Sequence, residues 1–578
     1  MDTDFPNVNA LWCHVLVETL ATKGMEYAVI CPGSRSSPLA FAFSNCASIE
    51  ALPVLDERSA AFFALGLAKR TGKPASLVCT SGTAAANFFP AVIEASEGGV
   101  PLMVLTADRP PEMRQCSAGQ TIDQVKLYGH YVKEQIDMAL PEASESMLRY
   151  ARETASYFYE QSTGSGKGPV HLNLPFRDPL PPMRDEAFAA SLDGRMIGGI
   201  LKGSDLAESA KSSRVVDLSG FVDTDEGVLI VGPNSPVASE RWVSGLTGLA
   251  ERLAWPILCD GLNPLRNANA GVSMVTRYDS ICRSKKFVEK FQPKKAIVVG
   301  ELPTSKVLRG WLASIDLEIV FLSELDRNLD PGYSRSLRIE CDIAADQVAF
   351  EGRSRGNFFD AWMRAEDLAS GFLQKKIDVT QPLFEGKIAS VLSRELQEGA
   401  SVLFSNGMPP RDCEFFWERG EGRQNTYFNR GVNGIDGVLS TAVGVAHGGD
   451  PTVLVIGDLA LLHDTNGALL GRVLDGSLTI VLINNAGGGI FEMLPVAQFG
   501  QTFEDFFACD QGVNFANWAK TYGIGYQSIE NWEELREAVR VLPQKGVRLL
   551  ELRTDRKTDA ARRKAWFAET AELLDGEF

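Results

Sequence analysis

Short apolar runs that end in Gly, Ser, Asp or Asn recur along the chain and alternate with longer stretches of helical periodicity. Brief, wholly apolar runs bounded by turn residues suit strands buried on both faces, and their alternation with helices predicts parallel α/β units. In a first group the runs are Tyr27–Ser34, Ala75–Gly82, Pro101–Asp108 and Pro169–Pro175. Between them Ala60, Phe63, Ala64, Leu67 and Ala68 recur at i, i+3 and i+4, the stripe of a helix lying on a sheet. The Pro- and Asp-rich stretch RDPLPPMRDEAF then breaks the pattern and reads as a linker. A second group has Gly227–Asn234, Ala296–Gly300, Glu318–Glu324 and Leu337–Asp342. A polar helical stretch over 355–380 leads to a third, with Ser401–Gly407, Pro451–Asp458, Leu478–Asn485 and Val547–Asp555. The expected fold is three doubly wound parallel-sheet α/β domains, over residues 1–190, 191–375 and 376–578.

Composition narrows the function classes. The 578 residues carry a formal net charge of -17, a field that opposes nucleic acid and anionic membranes. Anionic substrates would need a local basic cluster to override it. No apolar run is long enough to span a membrane, and the acidic start MDTDFPNVNALW resembles neither a secretory signal nor a transit peptide. The ten Cys are scattered singly, with no C-x-x-C pair, which points to buried reduced thiols and a cytoplasmic location.

The chemistry concentrates between Gly457 and Gly489. One strand ends in Gly457-Asp458, a helix-length segment follows, and the next strand ends in Asn484-Asn485, ahead of Ala486 and the run Gly487-Gly488-Gly489. Ligands of open α/β sheets sit at the carboxyl ends of strands, so Asp458 and Asn485 would project into one crevice. A carboxylate, an amide oxygen and a backbone carbonyl are hard donors suited to Mg2+ or Ca2+. Each half alone also reads as a helix cap or a turn.

Together the two halves resemble the GD…NN signature of the thiamine-diphosphate enzymes. The resemblance implies that Asp458, Asn485 and the carbonyl of Gly487 hold Mg2+, with Mn2+ or Ca2+ as substitutes, and through it the diphosphate. It further implies that Glu57, at a strand–helix junction after ALPVLD, is the catalytic glutamate at N1′ of the cofactor's pyrimidine. Its plainer reading is an acid at a helix N-terminus. The segment CTSGTAAANFFPAVIEA is similar to the pyrimidine-binding domain of that family. Glu57 and Asp458 must then bracket one cofactor. In the family they come from different subunits, which implies a homodimer or homotetramer; the sequence alone leaves pairing within or between chains open.

Three longer motifs refine the resemblance: CPGSRSSPLA at Cys31–Ala40, TADRPPEMRQCSAGQTIDQ at Thr106–Gln124 and NRGVNGIDGVLSTAVG at Asn429–Gly444. They are similar to the branch acting in menaquinone and phylloquinone biosynthesis. That branch decarboxylates 2-oxoglutarate and adds the succinyl unit to isochorismate in a 1,4-addition. Both substrates are dicarboxylates, for which Arg is the matching fork. The resemblance implies that Arg411 and Arg430 hold the succinyl carboxylate. By the same resemblance, Ser34, Arg35, Arg109, Gln120 and Lys306 would line the isochorismate side. Ile435 would support the bent cofactor, and Ile490, Phe491 and Leu494 would form an apolar wall that keeps water out. Gly407, where Ser is frequent in the family, and Val307, where a second basic residue occurs, depart from the pattern. His463 lies near the diphosphate segment and reads as structural. The middle domain offers few chemical candidates. The rival readings are an acetolactate-synthase-like carboligase or decarboxylase, which would not need the Arg set, and a dinucleotide-binding oxidoreductase, against which stands the lack of a G-x-G-x-x-G unit.

Overall fold

The structure is a computed structural model that describes residues 5–192, 194–202, 213–234, 240–268, 271–325, 327–420 and 424–578. Three parallel sheets carry it. The first comprises β1 (Tyr27–Ile30), β2 (Glu50–Pro53), β3 (Ala75–Cys79), β4 (Leu102–Asp108), β5 (Gln135–Asp137) and β6 (Pro169–Pro175), in the order β2-β1-β3-β4-β6-β5. The middle region pairs β7 (Val215–Asp217) with β13 (Gln347–Ala349) in a small separate sheet. Its main sheet has β8 (Gly227–Val231), β9 (Ile257–Cys259), β10 (Lys295–Val299), β11 (Glu318–Ser323) and β12 (Arg335–Glu340), ordered β12-β11-β10-β8-β9. The last sheet has β14 (Ser401–Phe404), β15 (Asn425–Phe428), β16 (Thr452–Gly457), β17 (Ser477–Asn484), β18 (Gly525–Ile529) and β19 (Gly546–Arg553), ordered β15-β14-β16-β17-β19-β18. The first and last sheets thus share one winding. In each, the order reverses beside the first strand, and that switch point is where open α/β sheets bind ligands.

Central strands such as β4 and β6 are buried along their whole length, as parallel strands between two helical layers must be. The strands that the hydrophobic pattern missed are β5, β9, β15 and β18, along with the small β7–β13 pair. The first four all lie at sheet edges. Edge strands need only one neighbour, so short or mixed-polarity segments serve; β18 is mostly exposed. The stretch 177–188 is not wholly irregular, since Asp185 accepts from the amides of Ala187 and Phe188 and so caps a helix, Glu186–Ser191.

The chain divides into two compact units. One holds residues 1–210 with 429–447 and 464–474; the other holds 211–428, 448–463 and 475–578. In the first, the helix Glu57–Thr71 starts where Asp56 accepts from the Ser59 amide at 3.0 Å and ends at Gly72 in a left-handed conformation, φ 71°. It crosses the helix Val438–Ala446 backbone to backbone. A Cβ on Gly66 would lie 2.1 Å from the Thr441 carbonyl oxygen, so glycine is what lets the two helices touch.

In the second unit, Arg266 is fully buried and donates to the carbonyls of Cys259, Thr276, Glu414 and Trp417, which ties the middle sheet to the last. All ten Cys are free and only Cys116 and Cys509 are exposed. Among the described residues no helix is long and apolar enough to cross a membrane.

Candidate active site

In the first unit, Glu57 is the first residue of the helix Glu57–Thr71, half-buried beyond the end of β2. The Asp56 cap fixes the start of that helix and hence the position of Glu57. Its charge adds to burial in pushing the Cys31 thiol up. Leu55, two residues before it, is 70% exposed.

Arg35 and Arg109 meet at the ends of β1 and β4. Arg35 is 5% exposed and donates to the Phe176 carbonyl at 2.8 Å. Burial lowers its pKa, and the nearby Arg109 lowers it further. Arg109 donates to the Gly119 carbonyl, and the Nε atoms of both arginines are buried without a hydrogen-bond partner. Two guanidinium groups that repel each other while donors stay unused make a seat for an anion. Gln120 borders it. Its side chain donates to the Ser81 carbonyl, Ser81 Oγ donates back to its carbonyl, and its backbone takes φ 56°. Ser34 is exposed just ahead of Arg35.

The loop with Arg430 and Ile435, both half-buried, belongs to the same unit. Glu94, 2% exposed, accepts from the amides of Gly431 and Val432 at 2.9 Å each and pairs with the buried Lys69 at 3.8 Å. Burial raises the Glu94 pKa against the pull of Lys69. At the other end of the loop Gly437, φ 65°, lies flat on Phe62, where an added Cβ would sit 1.9 Å from the ring. Farther along, Asp464 accepts from the amide and hydroxyl of Ser440 at 2.7 and 3.1 Å. The helix-length segment after Asp458 holds a short helix, Asp458–His463, and a 3-10 stretch, Thr465–Arg472, and Asp464 between them is buried.

In the second unit, β16 and β17 end side by side. Asp458, 5% exposed, accepts from the amides of Leu459 and Gly487 at 2.7 and 2.8 Å. Burial pushes its carboxyl up to about 6, and Asp510 and Glu385 push the same way. No Lys or Arg among the described residues pairs with it. Asn485, 7% exposed, gives its side-chain NH2 to Glu385 at 2.6 Å, and its amide oxygen is buried without a partner. A desolvated carboxylate without a counter-ion and a bare amide oxygen are what a hard cation would satisfy. A cleft of about 340 Å³ opens here, lined in part by Asp458, Ala486, Asp510 and Thr554. Gly487, φ 114°, passes so close to Ala508 that a Cβ would lie 2.0 Å from its carbonyl oxygen.

Around these residues stand charges that sequence reasoning missed. Arg556 donates to the Ala486 carbonyl at 2.8 Å and pairs with Glu492 and Glu504, bracing the loop before Ile490. Arg563 joins Glu385 at 2.8 Å to Asp412 at 2.6 Å, all three buried. Burial disfavours the Arg563 charge, but the two carboxylates outweigh it and raise its pKa. Arg411, the neighbour of Asp412, is half-buried and donates to the Gly407 carbonyl; Gly407 has φ 108°, a conformation that suits glycine. Burial lowers the Arg411 pKa, and nearby Arg309 opposes its charge too, so Arg309 is a further cation that the sequence reading passed over. Lys306 is exposed at the start of the helix Lys306–Leu312, whose cap Ser305 accepts from Leu308. Phe491 is half-buried with its ring 5.7 Å from Phe507, Ile490 is half-buried and Leu494 is 38% exposed. His463 is exposed on the last turn of its helix.

Residues 13–127 match the family described as thiamine pyrophosphate enzyme, N-terminal TPP binding domain; residues 415–552 match the corresponding C-terminal TPP binding domain. Over nearly its full length the chain is similar to 2-succinyl-5-enolpyruvyl-6-hydroxy-3-cyclohexene-1-carboxylate synthases. That of Acaryochloris marina is 43% identical over 99% of this chain and 100% of the relative. Those of Trichodesmium erythraeum and a Synechococcus species are each 44% identical, over 97% and 99% of this chain and 98% of each relative. The chain belongs to this synthase family. Membership in the synthase family makes it an enzyme with both TPP binding domains. Ser34, Arg35, Glu57, Arg109 and Gln120 fall within the N-terminal match, and Arg430, Ile435, Asp458, Asn485 and Gly487 within the C-terminal one. Lys306, Arg411 and the trio Glu385, Asp412 and Arg563 lie outside both, in parts shared with the synthases rather than covered by the two TPP binding domains.

Proposed function

We propose that the protein decarboxylates 2-oxoglutarate with thiamine diphosphate and adds the succinyl unit to isochorismate in a 1,4-addition. The product is 2-succinyl-5-enolpyruvyl-6-hydroxy-3-cyclohexene-1-carboxylate, on the route to menaquinone or phylloquinone. The observation that carries the reading is the likeness, over nearly the whole chain, to synthases named for that product, joined to a desolvated Asp458 and a bare Asn485 oxygen at adjacent strand ends.

Asp458, the Asn485 side chain and the Gly487 carbonyl hold the metal, Mg2+ by preference and Mn2+ or Ca2+ as other hard cations. Bound thiamine diphosphate supplies an electron sink for the carbon left by decarboxylation of a 2-oxoacid. Glu57 holds a proton at N1′ of its pyrimidine, and Ile435 supports it. Arg411 and Arg430 take the succinyl carboxylate. Ser34, Arg35, Arg109, Gln120 and Lys306 take isochorismate, a role to which the unused Nε donors of Arg35 and Arg109 lend support. Ile490, Phe491 and Leu494 exclude water.

The pyrimidine-binding part spans 1–190, a central part 191–375 and the diphosphate-binding part 376–578. A homodimer or homotetramer with shared active sites, in the cytoplasm, completes the reading; exposed Leu55 beside Glu57 and exposed Phe506 suit surfaces that a second subunit covers. The test is product analysis with thiamine diphosphate, Mg2+ and both acids. The succinylated cyclohexene product is expected. Turnover of pyruvate in preference to 2-oxoglutarate, or carbon dioxide release with no coupling to isochorismate, would refute it.

A further inference from the structure

An amide side chain is nearly symmetrical in shape but not in chemistry. Asn485 can serve a cation only if its oxygen faces the site and its NH2 faces away. Glu385 imposes that choice. One of its oxygens accepts from the Asn485 NH2 at 2.6 Å, and only the nitrogen end of an amide can donate there. The other oxygen accepts from Arg563 at 2.8 Å. Arg563 in turn makes two bonds to Asp412, at 2.8 and 2.6 Å. Glu385, Asp412 and Arg563 are 1 to 3% exposed at the side chain, so water does not compete for these bonds. None of the three lies within the two matched TPP binding domains.

The structure assigns Glu385 as a positioning residue: it turns the Asn485 amide oxygen toward the cation and ties that amide through Arg563 to Asp412, next to Arg411. The inference rests on the metal reading given above. In Glu385→Gln the single remaining oxygen goes to the charged donor, Arg563. The new NH2 then faces Asn485, whose amide must flip to accept from it. The flip points a donor, not an acceptor, at the cation.

The test is calorimetric titration of the full-length protein with Mg2+ at saturating thiamine diphosphate, well below the unfolding temperature, for the wild type and for Glu385→Gln and Asn485→Ala. The expected result is a tenfold or larger rise in the Mg2+ Kd for Glu385→Gln. A purely structural role would lower the melting temperature and leave the Kd alone, so a Kd within twofold of wild type in a folded Glu385→Gln protein overturns the inference. Wild-type Mg2+ binding in Asn485→Ala overturns the metal reading beneath it instead. If circular dichroism shows that Glu385→Gln does not fold, Glu385→Asp is read by the same criterion, since it keeps the charge but falls one methylene short of Asn485.

Discussion

Replacing Gly487 by alanine adds one methyl group at the point where backbone geometry and the proposed cation site meet. The residue has φ 114°, and its Cβ would lie 2.0 Å from the Ala508 carbonyl oxygen, with the Ala508 carbonyl carbon at 2.6 Å. The conformation alone costs a non-glycine residue about 1–3 kcal/mol. The overlap is with backbone, so no side chain can swing away. The Ala508 carbonyl also accepts from Gly488 at 2.7 Å, and moving it gives up a hydrogen bond of about 1 kcal/mol. The native loop is therefore disfavoured by about 2–4 kcal/mol. If the cation binds only that loop conformation, the apparent affinity falls by about 30- to 700-fold. The Gly487 amide that steadies Asp458 moves with it. Calorimetric titration of Mg2+ with thiamine diphosphate present, alongside circular dichroism, measures this. A Gly487→Ala protein that folds normally and binds Mg2+ within threefold of wild type would refute the reasoning.

Three further outcomes are expected. Glu57→Gln should keep thiamine diphosphate affinity within a few-fold while turnover falls by about two orders of magnitude or more, since a proton-transfer group is worth that much; wild-type turnover would contradict its role. Arg411→Ala should raise the KM for 2-oxoglutarate by about tenfold or more, the loss of a charge-assisted bond, with a smaller change for isochorismate; the reverse pattern in steady-state kinetics would exchange the two substrate assignments. Burial pushes Asp464 up to about 6, so the folded protein holds this proton more tightly than the unfolded chain. Its contribution to stability is therefore full below about pH 4 and is lost as pH rises through 6, up to about 3 kcal/mol. Asp464→Asn should flatten that part of the thermal stability profile, and parallel wild-type and variant curves would count against it.

Fold class was legible because central parallel strands advertise themselves. VLIVG-type runs such as AIVVG in β10 need no context to be read as buried strands. Four of the six edge strands of the three large sheets, β5, β9, β15 and β18, were not, because an edge strand is defined by its neighbour. Nothing in GYQSI marks β18 apart from its pairing with β19. The helix after β2 was legible from its apolar stripe, yet its capping by Asp56, which fixes where Glu57 starts, depends on a residue one step outside the periodic pattern.

The candidate site divides along the same physical line. Asp458, and Asn485 with Gly487, stand in short motifs at the ends of the successive strands β16 and β17, so local sequence points to their proposed chemistry. Glu385, Asp412 and Arg563 do not form a motif at all. They are brought together from the starts of two helices and the second turn of a third, Glu385–Glu395, Pro409–Phe416 and Arg556–Glu577. Arg563 sits in a helix whose other charges, Arg562 and Lys564 among them, look the same in sequence. A surface arginine and a buried one differ only in what the fold puts beside them, and that difference decides whether the charge contributes little or must be paired. Here the pairing is complete: both carboxylates reach the guanidinium, and the amide NH2 takes one remaining lone pair of Glu385. Within the network of Glu385, Asp412, Arg563 and Asn485, the Asn485 amide oxygen is the one buried side-chain atom left without a partner. A network that satisfies its members and ends on a bare oxygen is built to present that oxygen, a reason for its burial that folding stability alone does not supply.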